Sequence, residues 1–134
     1  MQINKTKAIL SPTMEFFTKA LSPDFYNELE HEFDGFANHI LLSQHSFNED
    51  WGVWEKHPLG DEIVLLLSGE ADLVTVQAGE ENTQHLAVQG DYVLIKKDTW
   101  HTARTTQPTS MLFITAGEGT VNEGNPFSQM PDTP

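Results

Sequence analysis

Residues 51–69, WGVWEKHPLGDEIVLLLSG, decide the fold. Two runs able to form strands, 51–57 and 62–67, flank Pro58-Leu59-Gly60-Asp61, whose proline, glycine and aspartate favour a turn. Side chains two apart on a strand share a face, so Trp51, Val53, Glu55 and His57 lie on one side and Gly52, Trp54 and Lys56 on the other. By the same rule Glu62 shares its face with Val64 and Leu66. A carboxylate buried and ionised alone on an apolar face costs several kcal/mol, so a cation, a hydrogen-bonding network or a raised pKa must compensate it.

Working outward, six further runs read as strands, at 38–47, 71–77, 84–88, 92–95, 100–105 and 111–116. The breaks between them carry Gly, Pro, Asn and Asp, and none is long enough for a helix, which disfavours a parallel βαβ sheet and predicts an all-β domain. On the run 100–105, His101 aligns with Ala103 and Thr105, opposite Trp100, Thr102 and Arg104. The segment before residue 36 reads differently. Ser22-Pro23 suits a helix start, Phe25, Tyr26, Leu29 and Phe33 form one apolar stripe, and Gly35 suits its end. A second helix is expected over 13–21, with Phe16, Phe17, Ala20 and Leu21 as its apolar side. Residues 1–36 are therefore expected as a short helical extension and residues 117–134, with three Gly and three Pro, as an irregular tail, all within one structural domain.

Seven Lys and Arg against 20 Asp and Glu leave a net charge of −13, which repels phosphate backbones and anionic membranes and argues against nucleic-acid or membrane partners. With no cysteine there is no disulfide, thiolate metal site or thiol nucleophile. The apolar run Ala8-Ile9-Leu10 is too short for a signal-peptide core, and no stretch approaches the ~20 apolar residues of a membrane helix. A soluble, cytoplasmic protein is the expectation.

The spacing His57, four residues, Glu62, six residues, Gly69 resembles the first motif of the cupin superfamily, and Gly90 followed after ten residues by His101 resembles the second, with 70–89 as connector. The chain is similar to a small, single-domain, conserved-barrel member of that superfamily over residues 51–116. The resemblance implies an antiparallel jelly-roll barrel over 37–116, with Glu55, His57, Glu62 and His101 gathering a metal on its inner face. The chain departs from the pattern where Glu55 replaces the first histidine, Lys96 and Asp98 replace the second motif's proline and glycine, and Thr105 replaces its terminal asparagine. Asp98 tolerates the left-handed turn that the glycine would take.

With Glu55 turned away, His57, Glu62 and His101 are a two-histidine, one-carboxylate set suited to non-haem iron; with Glu55 bound, the set suits divalent Mn, Fe, Zn or Ni. The expected activity is binding, and transformation, of a small polar metabolite by dioxygenase, isomerase or lyase chemistry, with Glu55 as general base where it is not a ligand. The alternative is a small-molecule-binding or sensing barrel without metal, in which His57 is a core histidine, Glu62 pairs with Lys56 or Arg104, and His101 caps a strand end. Trp51, Trp54 and Trp100 flank the candidate ligands, the latter two on the opposite face. His39 and His45 are candidate hydrogen-bonding supports, His31 a solvated helix residue, and Lys96 and Lys97 candidate contacts for an anionic ligand. The run Ile63 to Leu67, apolar on both faces, predicts a homodimer that buries the outer face of the barrel.

Overall fold

The computed structural model describes residues 2–20, 22–25, 28, 32, 39–116 and 121–123. Two antiparallel sheets form around one interior. The six-stranded sheet runs in the order β2 (Phe16–Ala20), β1 (Thr6–Leu10), β3 (Ile40–Phe47), β10 (Thr109–Thr115), β5 (Glu62–Ser68), β8 (Tyr92–Ile95). The five-stranded sheet runs β11 (Val121–Glu123), β4 (Trp54–Lys56), β9 (His101–Arg104), β6 (Ala71–Gln77), β7 (Glu80–Leu86). Non-consecutive neighbours such as β10 beside β3 and β6 beside β9 are the crossovers of a jelly roll rather than a meander.

Alternation builds the core. Along β5, Glu62, Val64 and Leu66 are buried, and register places Val64 opposite both Phe113 and Val93. From the facing sheet come Ala71, Leu73 and Ala103. Each fully buried side chain of this size contributes about 1.5–3 kcal/mol, so this interior dominates the stability of the fold. Gly69 closes the β5–β6 turn at φ +86°, where a Cβ would stand 2.3 Å from the Pro108 carbonyl oxygen, so backbone angle and space both demand glycine.

The N-terminal expectation needs correction. Residues 13–21 do not form a helix: 16–20 are strand β2, paired residue for residue with β1 from Leu10↔Phe16 to Thr6↔Ala20. The apolar spacing that resembles a helix is overridden by this pairing and by burial of Ala8 and Ile9 in β1, so the first 20 residues extend the six-stranded sheet. No helical element occurs among the described residues; Phe25, Glu28 and Glu32 have helical backbone, and the rest of the helix expected over 22–35 lies outside them. Phe25 closes a small cluster with Ile9 and Leu41. In the tail, expected to be irregular, Val121–Glu123 pairs with β4; residues 117–120 and 124–134 lie outside the described residues. No helix among the described residues is long and apolar enough to cross a membrane.

Candidate metal centre

Both sheets contribute to one cluster. Glu62 opens β5 on the inner face of the six-stranded sheet, while Glu55 of β4 and His101 of β9 are direct register partners in the five-stranded sheet. His57 lies one residue past β4, and its carbonyl accepts a hydrogen bond of 2.8 Å from the Asp98 N–H. Asp98 is left-handed at φ 61°, as the turn into His101 demands. The expected four residues converge. His101 Nε2 lies 3.0 Å from Glu62 Oε1, His57 Nε2 lies 3.4 Å from Glu62 Oε2, and Glu55 Oε1 stands 3.9 Å from each imidazole Nε2. One donor atom each from Glu55, His57 and His101 lies within 4.8 Å of the others, a spacing that a single metal ion fits.

The protonation logic follows from the partners. His101 is fully buried and its Nδ1 lies 3.2 Å from the Thr99 carbonyl, which can only accept, so Nδ1 carries the proton and Nε2 faces the cluster. Against Glu62 Oε1 the approach is short but misaligned for a hydrogen bond, and both atoms are sealed from solvent without one. The other Glu62 oxygen accepts from Thr115 Oγ1 at 2.7 Å. Hydrogen bonds to charged groups contribute about 1.5–3 kcal/mol, less than the several kcal/mol that burying a carboxylate costs, so Thr115 alone does not offset the burial. Positive charge must. Burial pushes the Glu62 carboxyl up, yet His101 and then His57 outweigh it and hold it at about 2. Burial lowers the His101 pKa, but the Glu62 contact reverses this and the net shift is upward. Burial raises that of Glu55, opposed by His101, reinforced by Glu62 and opposed by His57. The cluster therefore holds its carboxylate only with a proton or a metal ion between the donors.

The pairing of Glu62 with Lys56 or Arg104 does not occur: Lys56 lies 3.6 Å from Asp98 and over the Trp100 ring, and Arg104 pairs with Glu81 at 3.2 Å and stands over Trp54. Trp54 and Trp100 join Val74 in a separate cluster on the outer face, where alternation puts them. Trp51 instead packs beside the site, edge-on to His101 at 6.4 Å between centroids and against Phe113 at 5.7 Å. His45 meets the Phe113 ring at 5.3 Å. Lys96 points away to Asp61 at 3.8 Å, His85 bridges Asp72 and Glu70 on the exposed face at 2.6 and 2.5 Å, and His31 lies outside the described residues. Sequence reasoning misses Thr115, since alternation puts it on the inner face with Phe113 but nothing local signals that its hydroxyl meets Glu62, 53 residues away.

No protein-family model matches the chain, and no curated protein matches it in sequence. Among solved structures, oxalate oxidase is similar at TM-score 0.53 and 14% identity over 71% of this chain and 50% of that one. Oxalate decarboxylase of Bacillus subtilis, described with Mn(II) centres, is similar at TM-score 0.52 and 18% identity over 63% of this chain and 23% of that one. The chain has the cupin fold. A cupin superfamily protein of Desulfitobacterium hafniense is 26% identical at TM-score 0.48, over 57% of this chain and 65% of that one. The chain thus spans less than two-thirds of the length of each of these cupin-fold structures.

Proposed function

We propose that this cupin barrel holds one divalent transition metal, Fe, Mn, Ni or Zn, through His57, Glu62 and His101, and uses it to bind and transform a small polar metabolite. The observation that carries the reading is the convergence of Glu62 Oε1 and His101 Nε2, 3.0 Å apart from opposite sheets, sealed from solvent and without an aligned hydrogen bond. Two imidazoles and a carboxylate are a donor set for such ions with positions left open. A bound ion would supply Lewis acidity, polarising an oxygen of the small molecule. The protein's own groups have distinct parts. Thr99 fixes the His101 tautomer, and Thr115 fixes the Glu62 oxygen it donates to. Glu55, half-exposed, farther from the imidazoles and raised in pKa, is suited to accept a proton from the bound molecule. Trp51 and Phe113 exclude water from one side.

A non-catalytic binding or sensing barrel is the second reading, favoured by Glu55 standing where the resembling superfamily has a histidine. We also propose a homodimer. On the outer face, Leu94, Ile63, Ile114 and Leu42 form one cross-strand row and Tyr92, Leu65 and Leu112 another, with Tyr92 and Leu94 exposed. Elemental analysis after incubation with each ion and gel filtration tests the metal reading. One ion per wild-type chain and none in His57→Ala/His101→Ala supports it, while a metal-free wild type with unchanged melting temperature overturns it.

A further inference from the structure

The end of the six-stranded sheet far from the centre carries a groove of about 400 Å3, lined by Ser46, Phe47 and Asn48 where β3 ends, Ser68 where β5 ends, and Thr109 and Ser110 where β10 begins. Clefts that hold small molecules run from about 300 to 1,000 Å3. Glu62 opens β5 and Ser68 ends it, so about 20 Å of strand separates this groove from the centre. Register sets Ser46, Ser110 and Ser68 side by side on three adjacent strands, beyond the apolar row of Tyr92, Leu65 and Leu112. The register slips between Ser110 and Met111, a bulge of the kind that bends a strand and re-aims its side chains.

One side chain fixes the hydroxyls of this row. Gln44 donates one amide proton to Ser46 Oγ at 2.8 Å and the other to Ser110 Oγ, and Ser46 Oγ donates in turn to Ser110 Oγ at 3.4 Å. A hydroxyl offers two acceptor sites and one proton, so Ser110, with both acceptor sites filled, has its proton left to give. No acceptor for that proton occurs among the described residues, and there the Ser68 hydroxyl and the Asn48 carboxamide also lack a hydrogen-bond partner. The groove therefore presents an oriented donor at Ser110, flanked by two side chains that can each donate and accept.

We propose that this groove is a second ligand site, separate from the centre, and that it binds a neutral sugar. Charge excludes ions: no lining residue is ionisable, so neither an anion nor a cation finds a counter-charge, and Glu49 and Glu70, next in sequence to Asn48 and Gly69, add to a net charge of −13 that repels anions. Hydrogen bonding selects a compound with many hydroxyls. The free groups of Ser68, Ser110 and Asn48 come from three separate strand ends, and a ring that carries a donor and an acceptor on each of several carbons can meet them together, where a single polar group meets one. The ring of Phe47, edge-on to Trp51 at 5.8 Å, supplies the apolar wall on which the C–H face of such a ring rests.

Amide chemical shifts of isotope-labelled full-length protein, titrated with glucose and with its anionic counterpart glucuronate, test the assignment. The expected result is saturable shifts with glucose, centred on residues 46–48, 68–69 and 109–110, with a dissociation constant on the order of 1 mM, and binding of glucuronate weaker by about tenfold or more. Ser110→Ala and Ser68→Ala each weaken glucose binding about fivefold or more, and Ser110→Thr, which keeps the hydroxyl, restores most of the loss. Should one alanine variant fail to fold, the other decides. Shifts that do not saturate, shifts centred on other residues, glucuronate bound as tightly as glucose, or alanine variants that bind glucose like the wild type overturn the sugar site. Each of these outcomes leaves the metal reading standing, since the groove shares no residue with the centre.

Discussion

Glu62 and His101 reach one another from opposite sheets, Oε1 to Nε2 at 3.0 Å, across an interior otherwise filled by Val64, Leu73, Ala103 and Phe113. Neither atom has an aligned hydrogen bond to satisfy it among the described residues. With the His101 Nδ1 proton committed to the Thr99 carbonyl, the gap between the pair admits only a proton or a metal ion.

Removing one partner should therefore be worse than removing both charges. His101→Ala leaves the Glu62 carboxylate buried against His57 and Thr115 alone, and we expect destabilisation of about 3–5 kcal/mol in the metal-free protein. The double variant His101→Leu/Glu62→Leu should recover most of that loss while abolishing metal binding. Urea unfolding of the three proteins checks the ordering; a double variant less stable than the single one contradicts it.

Metal-free and metal-loaded protein should respond oppositely to pH. The pKa of His101 is raised above its ordinary 6.5, so its contribution is fully present below 6.5 and fades as pH rises through the raised value. Glu62 is held at about 2 against an ordinary 4.5, so its contribution is present above 4.5 and fades as pH falls toward 2. Metal-free protein should thus be most stable between about 4.5 and 6.5. A metal ion must displace the His101 proton, so affinity should climb as pH rises beyond 6.5. Melting temperatures across pH 4–9, with and without Mn2+, would show two diverging curves; parallel curves would count against the ion pair.

Thr115→Val removes the hydroxyl that donates to Glu62 and nearly conserves volume. Loss of such an orienting hydrogen bond should weaken metal binding about 10- to 100-fold with the fold intact. Calorimetric titration of the variant reads this directly, and an unchanged affinity would remove Thr115 from the site.

The outer apolar rows make a prediction of their own. Light scattering at micromolar concentration should give a dimer, and Leu94→Glu, at a position 49% exposed, should give a monomer. A wild type that scatters only as a monomer contradicts the proposed assembly.

How far the sequence alone carries depends on what each segment buries. Runs 71–77 and 92–95 coincide with β6 and β8, and β5 and β10 differ from expectation by only one or two residues, because alternating burial leaves its period in the residues. Strand β7 is legible only at its end: Glu80 to His85 are exposed on an edge strand that needs no apolar face, so nothing alternates. The β1–β2 hairpin is misread because Phe16, Phe17 and Ala20 fit helical spacing while pairing with β1, a non-local event, makes them a strand. The four expected centre residues converge, although of the run expected as a strand over 51–57 only Trp54–Lys56 forms β4 and His57 lies one residue past it, held there by the Asp98 N–H. Thr115 carries no such mark, because its importance arises from Glu62, 53 residues away in the chain.

Electron spin-echo spectroscopy of the Mn2+-loaded protein tests the centre most directly, since it counts the nitrogen donors on the ion. The account predicts couplings from two imidazole nitrogens in the wild type and from one in either His57→Ala or His101→Ala. An Mn2+ signal without nitrogen couplings, or one untouched by both substitutions, would contradict it.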